Sequence, residues 1–575
     1  MKVSIDWLKQ LIELNVSIDK VINLLPLRTV GTKEVTPVFF ELDMKGYNRP
    51  DLLSMRGVAQ EISAITDSKI IFSEPEENEY IWAGSFDKLR TSLPKTDILV
   101  ENNDLCPIYC IAKIEGLKVA PSSIEWIKKL NDCGMRTVNN VADVTNLVML
   151  EYGQPLHSFD ADIVKDGKIV VRIAKKGEKI VTLDNKTRDL EASDLLITDP
   201  EKALGIAGVM GGKNSEISDS TITIFLESAI FDPINLRKTA TRLNLQSEAS
   251  KRFQHGLTKK RCLQALNSAI KMYQDLGGKL TTISITGDLE DKQKTITLRK
   301  SQLDSLIGIE IPEKDVVSYL KKLNFEVLES VQGEALRAYK WEIVPPYYRL
   351  DVEIEADVIE EVARMYGYEK LPSKELAGKI PEKIDQSLFT LINNVKENLA
   401  EIGLNEVQTY SFYSTEVIEN CKFDTENLIK IANPMSSQTQ FMRDMLWPNL
   451  LKAVAKNLKS YDQVAIFEIN KIYIKGPEPK EEYHLALALS NDNPENIKQL
   501  YGLFKSLGIY LEGVKLNLGG QEITEREKEL FHPVRFWYLL KENQKIGMIA
   551  EVHPRIVNKF GVEKRVSILE IRIKN

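Results

Sequence analysis

The stretch that most constrains this chain is DVEIEADVIEEVARMYGY, Asp351 to Tyr368. Six carboxylates fall within its first eleven residues: Asp351, Glu353, Glu355, Asp357, Glu360 and Glu361. From Asp351 to Glu355 acidic and apolar residues alternate, which predicts a strand with one wet face. After Asp357 the residues Val358, Ile359, Val362, Ala363 and Tyr366 recur at helical spacing. On such a helix Asp357, Glu360 and Glu361 share one side of the first turn. Two chemistries fit this pattern. In a capping box Asp357 caps, Glu360 reaches back, and the acids offset the positive end of the helix dipole. In a hard-cation site Asp351 folds back towards the helix and the carboxylates surround Mg²⁺. Clustered carboxylates repel unless protons, basic groups or a cation intervene, and all-oxygen donors suit that ion.

A chain of 575 residues is far too long for one core; at about 150 residues per domain, roughly four are expected. The net charge of −7 excludes a globally basic, nucleic-acid-coating surface. Local clusters such as Lys128-Lys129 and Lys259-Lys260-Arg261 read as solvated faces. Five cysteines without a CxxC pair point to a reducing compartment and away from a disulfide frame or zinc ribbon. The amphipathic, acid-bearing N-terminus does not read as a signal peptide, and no stretch stays apolar for the length of a membrane span. The expectation is a cytoplasmic multidomain protein that does not enter a membrane.

Along the chain, residues 1–98 predict two helices around a short strand, then a polar linker. The first helix carries Trp7, Leu8, Leu11, Ile12 and Leu14; the second, Leu53 to Ile65, follows the turn Asn48-Arg49-Pro50-Asp51. The linker covers 73–98. Residues 99–280 predict several strands and at least three helices. His157 there follows a Gly-Gln-Pro turn; it either bonds locally, to Asp160 or to backbone, or serves a site. Gly205, Gly208, Gly211 and Gly212 allow close backbone approach, but their spacing matches neither a P-loop nor G-x-G-x-x-G. Glu227 lies inside the apolar strand Ile222 to Ala229. Facing a core it needs a partner; lining a pocket it is a specificity group. Residues 293–373 predict a small α+β unit with a helix Lys314 to Leu323 and a strand Phe325 to Leu328. A linker at 374–388 leads to a larger α+β domain, 389–575, with a mostly antiparallel sheet. Its predicted helices are Phe389 to Ile402 and Leu446 to Ser460. Its strands are Val407 to Phe412, Gln463 to Ile469, His484 to Leu489, Phe536 to Leu540 and Lys545 to Val552.

Several ordered motifs carry a resemblance. They are LDMKGYNRPDLLSMRGVAQEISAIT, NNVADVTN, GQPLHSFD, AGVMGG, FLESAIF, LQSEASKRF, RLDVEIEADVIEEVARMYGYEKLP, TYSFY, NPMSSQTQFMRDMLWPNLL, IFEINKIY and AEVHP. Together, from residue 1 to the end, they resemble the bacterial-type beta subunit of phenylalanyl-tRNA synthetase. The resemblance implies an (alpha-beta)₂ tetramer that joins phenylalanine to tRNA(Phe) using ATP and Mg²⁺, with the synthetic active site in the alpha subunit. It implies an editing domain at 99–280 that hydrolyses mischarged Tyr-tRNA. In that domain Glu227 matches the position that reads the tyrosine hydroxyl, and His157, Thr145, Asn146, Gly211, Ser247 and Ala249 match pocket positions. It implies that Asp351, Asp357, Glu360 and Glu361 hold a Mg²⁺ shared with the alpha subunit, while Glu353 and Glu355 are solvated. It also implies that 389–575 is similar to a class II synthetase catalytic fold without its chemistry. This sequence has neither Phe-Arg-x-Glu nor Gly-x-Gly-x-Gly-x-Glu-Arg, so Met442-Arg443 and Leu446-Trp447 read as packing and interface residues.

The chain departs from the family pattern in four places. Ser247 stands where Thr is common. Gln254-His255-Gly256 replaces Glu-Arg-Gly, which puts local salt bridges and tRNA contacts in doubt. The oligonucleotide-binding barrel usually inserted after the N-terminal segment has no room between Thr32 and Phe40. The C-terminal anticodon-binding domain is expected to be lacking. With both modules absent, the electrostatic share of tRNA binding carried here is expected to be small. Two rivals remain at this point: a free-standing aminoacyl-tRNA deacylase, and a non-enzymatic assembly protein derived from the beta subunit.

Overall fold

The computed structural model describes residues 1–75, 80, 96–287, 294–331, 339–375, 378, 384–491, 493–507, 523–541 and 544–573. Most of the expected linker 73–98, and much of 374–388, lie outside the described residues. The chain divides into two units, Met1–Glu375 and Leu376–Asn575.

The first unit opens with β1 (Lys2–Ser4), α1 (Ile5–Leu11), α2 (Ile18–Arg28), β2 (Thr32–Val35), β3 (Phe39–Leu42) and α3 (Met55–Thr66). The reading of two helices missed α2. It buries only Val21 and Leu25 and carries Pro26 inside, so its periodicity is faint. Strands β2 and β3 pair directly as a short hairpin, so no domain is inserted between them.

Two facing sheets follow. Their strands are β4 (Asp97–Val100), β5 (Ile108–Glu115), β6 (Leu156–Asp160), β7 (Lys168–Ile173), β8 (Leu195–Thr198), β9 (Ala203–Ile206), β10 (Met210–Gly211), β11 (Ile224–Ile230) and β12 (Lys279–Gly287). Helices α4 (Ile124–Asp132), α5 (Asn140–Tyr152), α6 (Pro233–Arg242), α7 (Glu248–Phe253) and α8 (Lys259–Asp275) accompany them. One sheet runs β12-β5-β11-β6, wholly antiparallel; the other runs β10-β9-β8-β7-β4, with only β4 and β7 parallel. All seven residues of β11 are buried, which explains its near-continuous apolar sequence. Ser228 donates to the Cys262 carbonyl at 2.9 Å, so it faces α8. Successive strand side chains alternate, so Glu227 points the other way.

The last piece of this unit is a three-stranded sheet, ordered β13 (Ile296–Arg299), β15 (Lys340–Val344), β14 (Glu326–Val331), with α9 (Lys300–Ile307), α10 (Glu313–Lys322) and α11 (Glu355–Tyr366). Leu298, Val316, Leu320, Trp341, Val358 and Val362 fill its core. The strand expected at Asp351 to Glu355 does not form. Strand β15 stops before Pro345-Pro346, which cannot donate to a ladder. The N–H groups of Glu353 and Ile354 donate to the Asp357 carboxylate instead of to a neighbouring strand.

The second unit is built on one six-stranded sheet, β16 (Asn405–Glu406), β17 (Val464–Ile474), β18 (Lys480–Asn491), β21 (Arg565–Ile573), β20 (Gln544–Val552) and β19 (Phe531–Lys541) in spatial order. It is antiparallel except for β16 against β17. Helices α12 (Ser387–Glu401), α13 (Trp447–Asn457) and α14 (Asn496–Leu507) pack with it over two cores. The single strand expected at Val407 to Phe412 is absent. Side chains take its backbone groups: Glu468 accepts from the Thr409 N–H, and the Tyr410 carbonyl accepts from Asn449 and Arg443. Arg443 is fully buried against Glu468 at 3.0 Å, and Trp447 is buried beside Phe531, so both pack the interior of this unit.

All five cysteines are free and buried. Among the described residues no helix is long and apolar enough to cross a membrane.

Candidate functional site

A cavity opens between the two facing sheets of the first unit. His157 and Phe159 on β6, Glu227 on β11, and Ala249 and Phe253 on α7 line it, together with the backbone around Gly205 to Gly211. The register sets the central pair: Glu227 stands directly opposite His157 across β11 and β6. The β9–β10 turn brings Gly211 so close that a Cβ there would lie 2.7 Å from His157 Cε1. Only glycine leaves the imidazole its place.

Among the described residues the lining is uncharged apart from His157 and Glu227. Burial lowers the His157 value to about 4, so its ring is neutral at physiological pH. Its ring meets Phe159 edge-on, with centroids 4.6 Å apart. The local bond to Asp160, one of the alternatives that the sequence left open, is not made; that carboxylate accepts from the Asp162 N–H and the Thr221 hydroxyl. Burial raises Glu227 to about 7, opposed by one hydrogen bond from the Tyr109 hydroxyl at 2.6 Å.

The structure therefore brings His157, Glu227, Gly211 and Ala249 together. It places the other three expected pocket residues elsewhere. Thr145 donates to the Ala142 carbonyl one turn back on α5, and Asn146 follows it on that helix; neither lines the cavity. Ser247 caps α7, accepting from the Ser250 N–H, and donates to the Val209 carbonyl at 2.8 Å. The sequence reading missed Tyr109 and Phe253. Tyr109 sits in an apolar strand on the far side of Glu227, and only strand pairing shows that the two meet. His255, where the family pattern has Arg, contacts Asn48 Oδ1 at 3.1 Å rather than a carboxylate.

The acidic stretch forms a second cavity, lined by Asp351, Asp357, Glu360 and Glu361, with Arg49, Arg349 and Arg364 among them. Both Asp351 oxygens accept from Arg349, at 2.9 and 2.8 Å. Buried Glu361 accepts from Arg349 at 2.6 Å and from Arg364 at 2.8 and 2.5 Å. Arg364 also pairs with Glu61 on α3, which Arg49 meets at 2.8 Å, and Arg49 holds Asp51 at 2.7 Å. Against burial, which alone would raise it, the Arg364 and Arg49 guanidiniums hold Glu61 down at about 2. Glu361 behaves alike: against burial, which alone would raise it, Arg364 and Arg349 hold it well below the usual carboxylate range.

Asp357 Oδ2 takes the two backbone N–H groups ahead of α11, and Glu360 is exposed. Asp357 thus caps from inside the helix, and Glu360 does not reach back. Glu355, expected to be solvated, accepts from the backbone and guanidinium of Arg299. The expected Mg²⁺ ligands Asp351, Asp357, Glu360 and Glu361 do not fit the ion as arranged. Arginines already neutralise two of the four, and only Asp357 Oδ1 and Glu360 remain as uncommitted donors. Among the described residues no group of three or more His, Cys, Asp or Glu is disposed to hold a metal. The sequence signal for the arginines was present: Arg349 stands two residues before Asp351, and Arg364 three after Glu361.

Three family models match the chain: the B3/4 domain over residues 105–278, the tRNA synthetase B5 domain over 296–368, and the phenylalanyl tRNA synthetase beta chain CLM domain over 371–573. Among curated proteins the chain is similar to the phenylalanine–tRNA ligase beta subunit of Geobacter metallireducens, at 32% identity over 93% of this chain and 68% of that one. It is 34% identical to the beta subunit of Dehalococcoides mccartyi, over 92% of this chain and 66% of the relative. The same identity holds for that of Protochlamydia amoebophila, over 90% and 65%. The chain spans about two thirds of the length of these relatives.

Proposed function

The chain belongs to the family of phenylalanine–tRNA ligase beta subunits, and from that premise we propose that it edits the product of an aminoacyl-tRNA ligase by hydrolysing mischarged Tyr-tRNA. In this reading residues 99–280 are the editing domain, and 389–575 form a class II synthetase-like domain without catalytic motifs. Residues 1–98 and 293–373 form the scaffold around the arginine–carboxylate network. A separate alpha subunit carries the ATP- and Mg²⁺-dependent attachment of phenylalanine to tRNA(Phe), within an (alpha-beta)₂ tetramer in the cytoplasm.

The observation that carries the editing reading is the pair His157 and Glu227, registered across two strands in an otherwise uncharged cavity. Tyrosine is phenylalanine with one added hydroxyl, and an apolar synthetic pocket rejects such an addition only weakly. A second pocket with a buried oxygen acceptor singles that hydroxyl out, because a phenylalanine ring would leave the acceptor unpaired. Glu227 supplies the acceptor. Neutral His157 offers one ring nitrogen as donor and the other as acceptor, so it can orient a water against the aminoacyl ester. Among the described residues the lining holds no serine or cysteine beside a base, so the attacking group in this reading is water.

The test has two parts. Charging of tRNA(Phe) is measured with this chain alone, the cognate alpha subunit alone and the two co-purified; activity only in the mixture is expected. Tyr-tRNA(Phe) hydrolysis is then compared between wild type and Glu227→Ala in the same complex. Clearance by the variant at the wild-type rate would remove the editing assignment. Clearance by this chain without its partner, with no charging in the mixture, would favour a free-standing deacylase.

A further inference from the structure

We infer that Tyr109 is a positioning residue of the cavity: it donates its hydroxyl to one oxygen of Glu227 and leaves the other oxygen free to read a ligand hydroxyl. This rests on the reading of the cavity as the hydroxyl-selective editing pocket. The register gives the geometry. Tyr109 on β5 pairs with Ala229, and Glu227 pairs with Ile111 on β5 and His157 on β6. Residues 109, 111, 227, 229 and 157 therefore share one face of the sheet, and Tyr109 is the diagonal neighbour of Glu227, within reach of a long aromatic side chain. Its hydroxyl lies 2.6 Å from Glu227 Oε2, and the Tyr109 residue has no exposed surface.

The direction of this bond is fixed. Burial, then the neighbouring Glu227 charge, raise the Tyr109 phenol well above its ordinary value, so it keeps its proton and donates. Glu227 Oε2 accepts, and Oε1 takes no hydrogen bond from any described residue. The bond has two effects. It fixes the carboxylate torsion, so that the free oxygen does not have to be ordered when a ligand arrives. It also favours the ionised form against burial, which pushes the group up to about 7. The other titratable groups that bear on Glu227 are few: Cys106 from the β5 side, its thiol pushed up by burial and then by the Glu227 charge, and neutral His157 from β6. The elements facing it across the cavity, β8 to β10 and α7, contribute no charged lining residue.

Removing the hydroxyl leaves Oε2 buried without its donor, so the group binds its proton more tightly and the charged, stronger acceptor is lost near neutral pH. The experiment follows single-turnover hydrolysis of Tyr-tRNA(Phe) from pH 6 to 9, with the enzyme-free rate subtracted. Wild type, Tyr109→Phe and Glu227→Gln are each assembled with the alpha subunit. The loss expected in Tyr109→Phe at pH 7 is about tenfold, the worth of one hydrogen bond to a charged group. The gap should close towards pH 9 as Glu227 ionises again, and that recovery would also show the variant to be folded. Glu227→Gln should be slow without this pH dependence. Wild-type rates in Tyr109→Phe at every pH, with Glu227→Gln slow, would overturn the role of Tyr109 and leave the pocket reading standing. A loss in Tyr109→Phe equal at every pH would overturn it too, since the hydroxyl would not be acting through the ionisation of Glu227. Wild-type rates in Glu227→Gln would remove the pocket reading and this inference with it.

Discussion

Glu360 and Glu361 are adjacent in sequence and stand in opposite environments, so the pair makes a sharp test of what the acidic stretch does. Glu361 is 3% exposed and accepts three charge-assisted hydrogen bonds from two arginines, whereas Glu360 is exposed on the same turn. In Glu361→Gln the amide oxygen keeps some of these bonds, but the amide nitrogen is turned towards a guanidinium and the compensating charge is gone. Breaking a buried pair by removing one partner costs about 3–5 kcal/mol. Arg349 retains Asp351 and Arg364 retains Glu61, so the lower end, about 3 kcal/mol, applies here. Glu360→Gln, at the surface, should stay within about 0.5 kcal/mol. Amide hydrogen exchange over residues 355–366 and 55–66, the two helices that the network joins, reads this locally. Protection should fall about a hundredfold in Glu361→Gln and hardly move in Glu360→Gln, with or without added Mg²⁺. Equal losses in both variants, or a loss seen only when Mg²⁺ is present, would refute the ion-pair account and restore a cation as the group that holds these carboxylates together.

Gly211→Ala would place a Cβ 2.7 Å from His157 Cε1 and 2.8 Å from its Nε2. The ring must move, at a cost of about 1–3 kcal/mol in overpacking, and Tyr-tRNA hydrolysis should fall while charging by the assembled enzyme is kept. Acid stability follows from the depressed carboxyls. Glu61, at about 2 against an ordinary 4.5, contributes up to about 3 kcal/mol that is fully present above pH 4.5 and lost as pH falls towards 2. Glu361 acts in the same direction. His157, lowered from 6.5 to about 4, adds a loss between those values, while Glu227, raised to about 7, favours the fold as pH falls from 7 to 4.5. Urea unfolding of the first unit should therefore change little from pH 7 to 5 and weaken steeply below 4.5; a steep loss already at pH 6 would contradict these signs.

Most of the elements that the sequence bounded lie within a few residues of those bounds. The helix Lys314 to Leu323 was read where α10 runs Glu313–Lys322, and the mostly antiparallel sheet of the second unit was expected from its strand spacing. The errors have local causes. Helix α2 buries too few residues to show a stripe. The residues of Asp351 to Glu355 and of Val407 to Phe412 alternate as a strand does, yet the nearby Asp357 carboxylate takes backbone groups of the first, and Glu468, Arg443 and Asn449, brought in from elsewhere in the fold, take those of the second. Alternation reports which way side chains point; it does not report whether a partner strand is present.

The sequence by itself determined the family, because many motifs stand in order along one chain. It also determined that His157, Gly211 and Glu227 belong to the same domain. Tertiary structure alone decided which candidates meet. Strand register sets His157 against Glu227 and brings Tyr109 beside it, while Thr145 and Ser247 turn their hydroxyls to helix and turn backbone. It likewise decided what neutralises the acidic stretch. Arg349 and Arg364 stand close to the run in sequence, but that they pair with Asp351 and Glu361 depends on folding, and Arg364 is shared with Glu61, which together with Arg49 comes from about three hundred residues away. Electrostatic energy depends on separation in space, and so, of the four acids that read as a cation site along the chain, Asp351 and Glu361 become partners of arginines, while Asp357 caps α11 and Glu360 stays exposed.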